Sequence, residues 1–441
     1  MFSKIKLSLY NINYKLFFAL LVLGFVPTIY NTVRIFLLGQ LPGEWSYSIA
    51  GQLSWVNLLY EILNEVIILP LFYFLGMVKD DKEAFSNRVR TGMLISLAVY
   101  AALSVLIFVF AEKLLALMAA DLNIITASAS YIRIESIANI FTVLTQFSFV
   151  ALVTLNKNRY LYALTGLRLI LCLFTDTFLV SNLSISARLG VNGIGYSNIT
   201  VNALLLIVAI FLLAKEDIRI LGKEKLNFAW AKEFAKIGGI SGIESLVRNI
   251  AYMVMIARMV NVVSEQGTYW VANNFIWGWL LLPVLQLGEL IKQEIATDKD
   301  SLQRNTLGYF SITAIIALLW VASIPAWKLF MTHVLGFADV SKLFGLVMLL
   351  LGFYVLFAIQ NVFDATFYAL GKTNYMLFES VVTNAIYYGI AFVLYVTDAW
   401  IPTLTGIALL FGIGNAFDSI VSLCAYVYLL KRKGIRILNV G

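Results

Sequence analysis

Apolar stretches of about 20 residues or more recur from one end of this chain to the other, and that length constrains the fold more than any motif does. In lipid, every backbone N–H and C=O must be paired within the protein, so a spanning chain is limited to helices or closed barrels. The runs lack strand-like alternation, which predicts helices. Spans are expected at 15–39, 50–78, 91–111, 131–155, 161–182, 191–214, 235–260, 268–292, 306–327, 343–370, 374–397 and 403–430. Composition agrees, because 61% hydrophobic and 13% charged residues leave too little polar surface to clothe a soluble domain of 441 residues. The basic flank Met1 to Lys15 leads into an apolar run without a small-residue cleavage site, so an uncleaved first span is expected.

The second half repeats the first. At an offset of 217, Asn57 falls on Asn274 and Asp81-Lys82 on Asp298-Lys299; at 215, Leu155, Lys157 and Tyr160 fall on Leu370, Lys372 and Tyr375. At 213, Gly193-Ile194 meets Gly406-Ile407, and the halves end alike in Ile218-Arg219-Ile220 and Ile435-Arg436-Ile437. Homologous halves of even helix number lie parallel in a bilayer, about an axis along the membrane normal, an arrangement that frames midplane sites in transporters. The expected architecture is therefore an all-α integral membrane protein with twelve transmembrane helices in two pseudo-two-fold-related six-helix bundles. Residues 1–214 and 235–430 form the bundles, 215–234 a cytoplasmic amphipathic linker carrying Trp230 and Phe234, and 431–441 a basic cytoplasmic tail.

Lys and Arg crowd one set of connections, among them Lys79, Lys82, Lys157, Arg159, Lys299, Arg304 and Lys431 to Lys433, while the other set holds little beyond Lys113, Arg133, Arg188, Lys328 and Lys342. The positive-inside rule places both termini in the cytoplasm of a multi-pass cytoplasmic-membrane protein. Anionic headgroups account for the net charge of +7 without a nucleic-acid partner. Cys172 and Cys424 sit in apolar runs and imply neither a disulfide nor a zinc site. The single histidine, His333, allows neither a Ser-His-Asp triad nor an HExxH metal site. Gly371-Lys372-Thr373 lacks the upstream glycine of a phosphate loop, since Thr366 stands there. No enzymatic activity and no cofactor are expected, and a monomer suffices.

Ionisable residues inside spans cost roughly 2.5 to 3.5 kcal/mol on insertion scales and so face a cavity or a partner. Glu61 and Glu65 share a helix face four residues apart, where like charges repel. They form either a coupling-ion site or a static bridge with Arg34 on the adjoining span. Glu244 and Arg248 are spaced as an intrahelical pair. Arg248 also aligns with Asn31, one turn from Arg34, so the two guanidinium groups are candidates to face one another and hold an anion. Asp364 is expected to line a second-half cavity, Asp418 is a further candidate, and Glu379 is expected near the headgroups beside Lys372. Glu135 and Arg133 read as the outer entry to the fourth span. Asn57, Asn274, Trp277 and Tyr388 are candidates for a substrate cavity lining, although Trp and Tyr near span ends are mostly interfacial anchors.

Several segments resemble the multidrug and toxic compound extrusion (MATE) family. Tyr368-Ala369-Leu370-Gly371-Lys372-Thr373, and its counterpart Thr154-Leu155-Asn156-Lys157-Asn158, are similar to the turn that closes the fourth helix of each half. Leu189 to Tyr196, with Gly406-Ile407-Ala408 as second copy, resembles the small-residue motif opening the sixth helix, and Gly238 to Glu244 the start of the seventh, without its usual proline. The resemblance implies a cation-coupled antiporter of small organic compounds working by alternating access, in a superfamily that also contains lipid-linked glycan flippases. It places a proton or sodium ion at Asp176, with Asn198 nearby and Cys172 where an asparagine is usual. Glu61, Glu65 and Glu244 complete the expected coupling-ion set. The family's first-helix aspartate corresponds to Arg34, which is either a substrate ligand or a built-in cation.

Overall fold

The structure is a computed structural model describing residues 2–43, 45–220 and 225–435. Among these residues the regular structure is helical throughout. The first half comprises α1 (Phe2–Tyr10), α2 (Tyr14–Gly39), α3 (Ser46–Gly51), α4 (Leu53–Gly76), α5 (Lys82–Leu117), α6 (Ile125–Thr154), α7 (Asn158–Leu179) and α8 (Val191–Lys215). The second comprises α9 (Ala231–Tyr252), α10 (Arg258–Val262), α11 (Gln266–Phe275), α12 (Leu282–Thr297), α13 (Ser301–His333), α14 (Val340–Ala369), α15 (Thr373–Val382), α16 (Gly389–Val396) and α17 (Leu404–Lys433). Single π-helical turns at Met253–Ala257, Ile276–Leu280 and Thr383–Tyr388 join α9 to α10, lead from α11 towards α12, and join α15 to α16. Eleven helical segments are long and apolar enough to cross a membrane, and the eighth expected span makes twelve if its two halves, bent by 51° at Leu281, are one crossing. The bend has a local cause: the π turn ends at Leu280 and Pro283 opens α12 without an N–H to continue the ladder.

The repeat is written into the backbone as well as the sequence. Ala119 and Gly336, Asn156 and Gly371, and Asp217 and Gly434 all adopt left-handed φ just past helix ends, at the same offsets as the sequence repeat. Such a residue closes the last turn by returning its N–H groups to orphan carbonyls: Lys157 N bonds Leu152 O at 3.0 Å, and Lys372 N bonds Phe367 O at 2.8 Å. Asp81 and Asp298 also share a task, accepting from backbone N–H groups two residues on, at 3.1 and 3.0 Å.

The compact units do not follow the repeat boundary. One unit is Val33–Gly267; the other joins Met1–Thr32 to Thr268–Gly441. Small residues explain both exchanges. On α9, a side chain at Gly238 would strike the Val66 carbonyl of α4, and one at Gly242 the Val66 side chain, so the seventh span packs tightly on the second. In the other unit, Gly24 lies against Gln286, Thr28 Oγ1 donates to Gly278 O at 3.0 Å, and Trp279 Nε1 donates to Thr32 Oγ1 at 3.0 Å. The units thus divide the first span between Thr32 and Val33 and group the seventh span with those of the first half.

Two further differences concern the flanks. Residues 2–10 form a helix on α13, where Gly308 N donates to Ser8 Oγ at 2.8 Å. Of the expected 215–234 linker, residues 216–220 and 225–230 form no helix, while residues 231–234 open α9. Trp230 and Phe234 are buried against Phe74, and Trp230 Nε1 donates to Thr91 Oγ1 at 3.1 Å. The tail beyond Ile435 lies outside the described residues.

Candidate functional site

Four helices of the Val33–Gly267 unit place one polar network in an apolar interior. The glycine motif that opens α8 permits this: a side chain at Gly193 would strike the Leu179 carbonyl of α7, and one at Gly195 the Ile134 side chain of α6. With α8 drawn in, Ser197 and Asn198 reach the centre. Arg34 of α2 grips Asp176 of α7 with Nε at 2.7 Å and Nη2 at 3.2 Å on its two oxygens. Nη2 also donates to Asn198 Oδ1 at 2.8 Å, and Asn198 Nδ2 donates to Glu135 Oε1 of α6 at 2.8 Å. Thr175 and Ser197 share a hydrogen bond of 2.5 Å. Asp176 is fully buried, and Arg34 and Glu135 nearly so.

Two-pronged, charge-assisted geometry of this kind is the strongest pairing available to a carboxylate. A guanidinium with pKa above about 12 stays charged, so the positive charge beside Asp176 is permanent. Asp176 and Asn198 come together as expected, and the cation between them is supplied by Arg34 of the chain itself. Glu135 is not an outer-interface residue: packing of α6 against α8 carries it inside the network. Arg168, on the same helix as Asp176, escaped the sequence reading; its Nη2 donates to Asn202 Oδ1 at 3.2 Å.

Glu61 and Glu65 meet Arg248, each oxygen 3.7 Å from its Nη2, rather than Arg34. The reason is the close α4–α9 packing at Val66, which brings the seventh span against their helix face. Arg34 and Arg248 consequently serve separate carboxylates. The Glu244 side chain lies outside the described residues. Asn57 is exposed on α4.

In the other unit, Asn274 Nδ2 donates back to Trp270 O at 2.9 Å, and Trp277 packs edge-on against Tyr354 and Phe357. Tyr388 is buried beside Tyr387 and Gly414. Asp418 of α17 accepts from Gln360 Nε2 at 2.6 Å and from Thr383 Oγ1 at 2.7 Å. Asp364 of α14 accepts from Ser422 Oγ at 3.1 Å. Glu379, expected beside Lys372, is only 3% exposed, because α15 packs against both α14 and α17.

A multi-pass helical bundle with a buried charge network, built from two copies of one backbone, defines a membrane protein of the MATE-transporter fold. Residues 79–177, covering α5, α6 and α7 as far as Asp176, match the MatE family model. The fold is shared with an inward-facing multidrug resistance MATE family transporter of the MOP superfamily, at 16% identity and a TM-score of 0.66 over 91% of this chain and 98% of that one. A mutant of the Vibrio cholerae MATE transporter VcmN aligns at 14% identity and a TM-score of 0.63 over 98% of each chain. A MOP superfamily transporter from Pyrococcus furiosus, described as having a binding pocket of reverse polarity that suggests a different function, aligns at 17% identity and 0.64 over 97% of this chain and 98% of that one. No match is found among curated proteins.

Proposed function

We propose that this protein is a secondary active transporter of the cytoplasmic membrane, with both termini cytoplasmic, that exports small organic compounds by cation-coupled antiport through alternating access. The carrying observation is the Arg34–Asp176–Asn198–Glu135 network. Desolvating those charges costs free energy that an apolar core of the same volume would not spend, and ionisable groups inside spans mark transport pathways. In this reading Arg34 supplies in advance the charge that a coupling ion would bring to Asp176. Coupling then falls to carboxylates elsewhere, with Glu61 and Glu65 of the first half and Glu244 of the seventh span as candidates and Arg248 turned to substrate. The reading needs no cofactor besides the coupling ion, and a monomer suffices.

The arginine favours a second reading of the substrate. A cation in place of an acid changes the site's polarity in the same sense as the reversed pocket described for the Pyrococcus furiosus protein. An anionic or zwitterionic solute is then the cargo, and a lipid-linked glycan is its extreme case. Vesicles containing the purified protein decide among these, given labelled organic cations and anions in parallel under an imposed proton or sodium gradient. Gradient-dependent movement of the cation supports multidrug antiport. Movement of the anion alone assigns the arginines to substrate, and movement of neither removes the antiport reading and leaves the flippase, which is then assayed with a labelled lipid-linked sugar.

A further inference from the structure

Arg168 lies midway along α7, between Asn158 and Leu179, and its partner Asn202 midway along α8, between Val191 and Lys215. At 1.5 Å per residue, Arg168 stands about 15 Å along the axis from each end of its helix. A guanidinium keeps its charge at any ordinary pH, and a charge at such depth faces a cavity or a partner. Leu164, Arg168, Cys172 and Asp176 follow one another at four-residue spacing along one side of α7. The other three are at most 3% exposed, whereas Ile170, Phe174 and Phe178 on the opposite side are exposed. Arg168 therefore turns inward with Asp176, and there it is half-buried.

Its surroundings do not supply an anion. Among the described residues no carboxylate forms an ion pair with Arg168. Asn202 is neutral, and its amide is fixed: Nδ2 donates to Asn198 O at 2.9 Å, which leaves Oδ1 to accept from Arg168 Nη2. The Phe149 ring centroid lies 5.7 Å from the guanidinium carbon, a contact that favours a cation without neutralising it. Nε is buried and has no acceptor among the described residues, a state that costs free energy unless a partner arrives. Asp176 is already gripped by Arg34, and Glu135 is separated from Arg168 by Asn198 and Asn202 in series. The second half does not copy the charge, since at the offset of 215 Thr383 stands in place of Arg168.

We propose that Arg168 anchors an anion-binding subsite inside the first-half bundle, one that takes a carboxylate or phosphate group. Of its N–H groups, one is directed to Asn202, and Nε–H with a remaining Nη–H forms the fork that matches two oxygens of such a group. The guest supplies the missing acceptor and the missing negative charge together, while Asn202 and Phe149 hold the guanidinium in place. A role for this subsite in transport rests on the anionic-cargo reading above; the binding of an anion does not.

The test is titration of the thermal midpoint of the purified full-length protein, in non-ionic detergent at constant ionic strength, with phosphate, acetate and a short-chain phosphatidate in parallel. Wild type should be stabilised saturably by at least one of them. Arg168→Gln should weaken that binding by about tenfold or more, the scale of a charge-assisted hydrogen bond. Arg168→Lys keeps the charge and loses the fork; it should bind more weakly than wild type, and it carries the test if Arg168→Gln does not fold. A response to phosphatidate alone makes the guest a lipid headgroup, and a response to phosphate or acetate makes it a soluble solute. Absence of saturable stabilisation of wild type, or equal affinity in wild type and the folded variant, overturns the proposal. In vesicles, Arg168→Gln should lose movement of the labelled anion. A wild type that moves no solute removes the transport reading, and the titrations still decide the subsite.

Discussion

Arg34, Glu135 and Asp176 in the first half, and Asp364, Glu379 and Asp418 in the second, are both trios of ionisable side chains drawn from three helices; the first is buried throughout, whereas in the second Glu379 is buried and the two aspartates are half-buried. The first trio contains a cation held by both oxygens of Asp176; the second consists of acids, arranged around Ser422, Thr383 and Gln360. Neither trio is copied by the repeat: at the offset of 215, Asp176 falls on Ala391, Asp364 on Phe149 and Glu379 on Leu164. One backbone has been kept twice while its charges have diverged. A built-in cation compensates the carboxylate of the first trio, whereas the two aspartates of the second are met by neutral donors, Ser422 on Asp364 and Gln360 with Thr383 on Asp418. The two halves therefore differ in whether their polar interior is held by an ion pair or by neutral hydrogen bonds.

The largest expected effect follows from breaking the permanent pair. Arg34→Ala leaves Asp176 charged, buried and uncompensated, and should cost about 3–5 kcal/mol, read as a lower unfolding midpoint in detergent. Replacing both Arg34 and Asp176 by Leu should recover most of that loss, since the desolvation cost leaves with the charges. Asp364→Asn, which keeps an oxygen to accept from Ser422 Oγ, should by contrast change stability little. If Arg34→Ala is mild, or Asp364→Asn as costly, the contrast between the halves collapses.

A smaller effect is expected inside the second trio. Asp418→Ala removes the acceptor for both Gln360 Nε2 and Thr383 Oγ1, and two buried donors left unpaired should cost about 1–3 kcal/mol. The loss should appear in the unfolding midpoint, and an unchanged midpoint would show that neither donor depends on Asp418.

Periodicity and length made the spans legible, whereas the break in the eighth, at a π turn followed by Pro283, does not register in span length. The repeat was legible because helix caps and left-handed helix ends demand particular residues, as Asp81 with Asp298 and Asn156 with Gly371 show. Glu135 and Glu379 show burial that span position alone did not signal. Both lie near the edge of an apolar run, and depth was judged along their own helix, whereas burial is imposed sideways, by α8 on Glu135 and by α14 and α17 on Glu379. Glu61 and Glu65 were correctly marked as needing a cation, but which arginine answers depends on the Gly238 contact with Val66, a feature of packing that spacing does not encode.

The smallest expected effect lies outside the membrane, where the halves differ again. Lys157 Nζ meets Glu216 Oε2 at 2.6 Å, and Tyr160 OH donates to Glu216 Oε1 at 3.1 Å, tying the turn after the fourth span to the end of the sixth. The repeat puts Lys372 and Lys433 at the corresponding places, two like charges in place of a pair. The Lys157 hydrogen bond, chiefly, holds the Glu216 carboxyl below its ordinary 4.5. A lowered folded value means that the pair's stabilisation is complete above the ordinary carboxylate range and is lost as pH falls through the folded value. Glu216→Gln should therefore lower the unfolding midpoint near neutral pH by the equivalent of less than about 1 kcal/mol, the pair being partly solvated. The gap to wild type should narrow below pH 4.5 and close under more acid conditions, and added salt should narrow it at neutral pH as well. The matching charge reversal, Lys433→Glu, should create in the second half the tie that the first already has, raising the neutral-pH midpoint by a similar amount; a midpoint that does not rise would mean that the second turn is held by packing, with Phe367 stacked on Tyr375, rather than by charge.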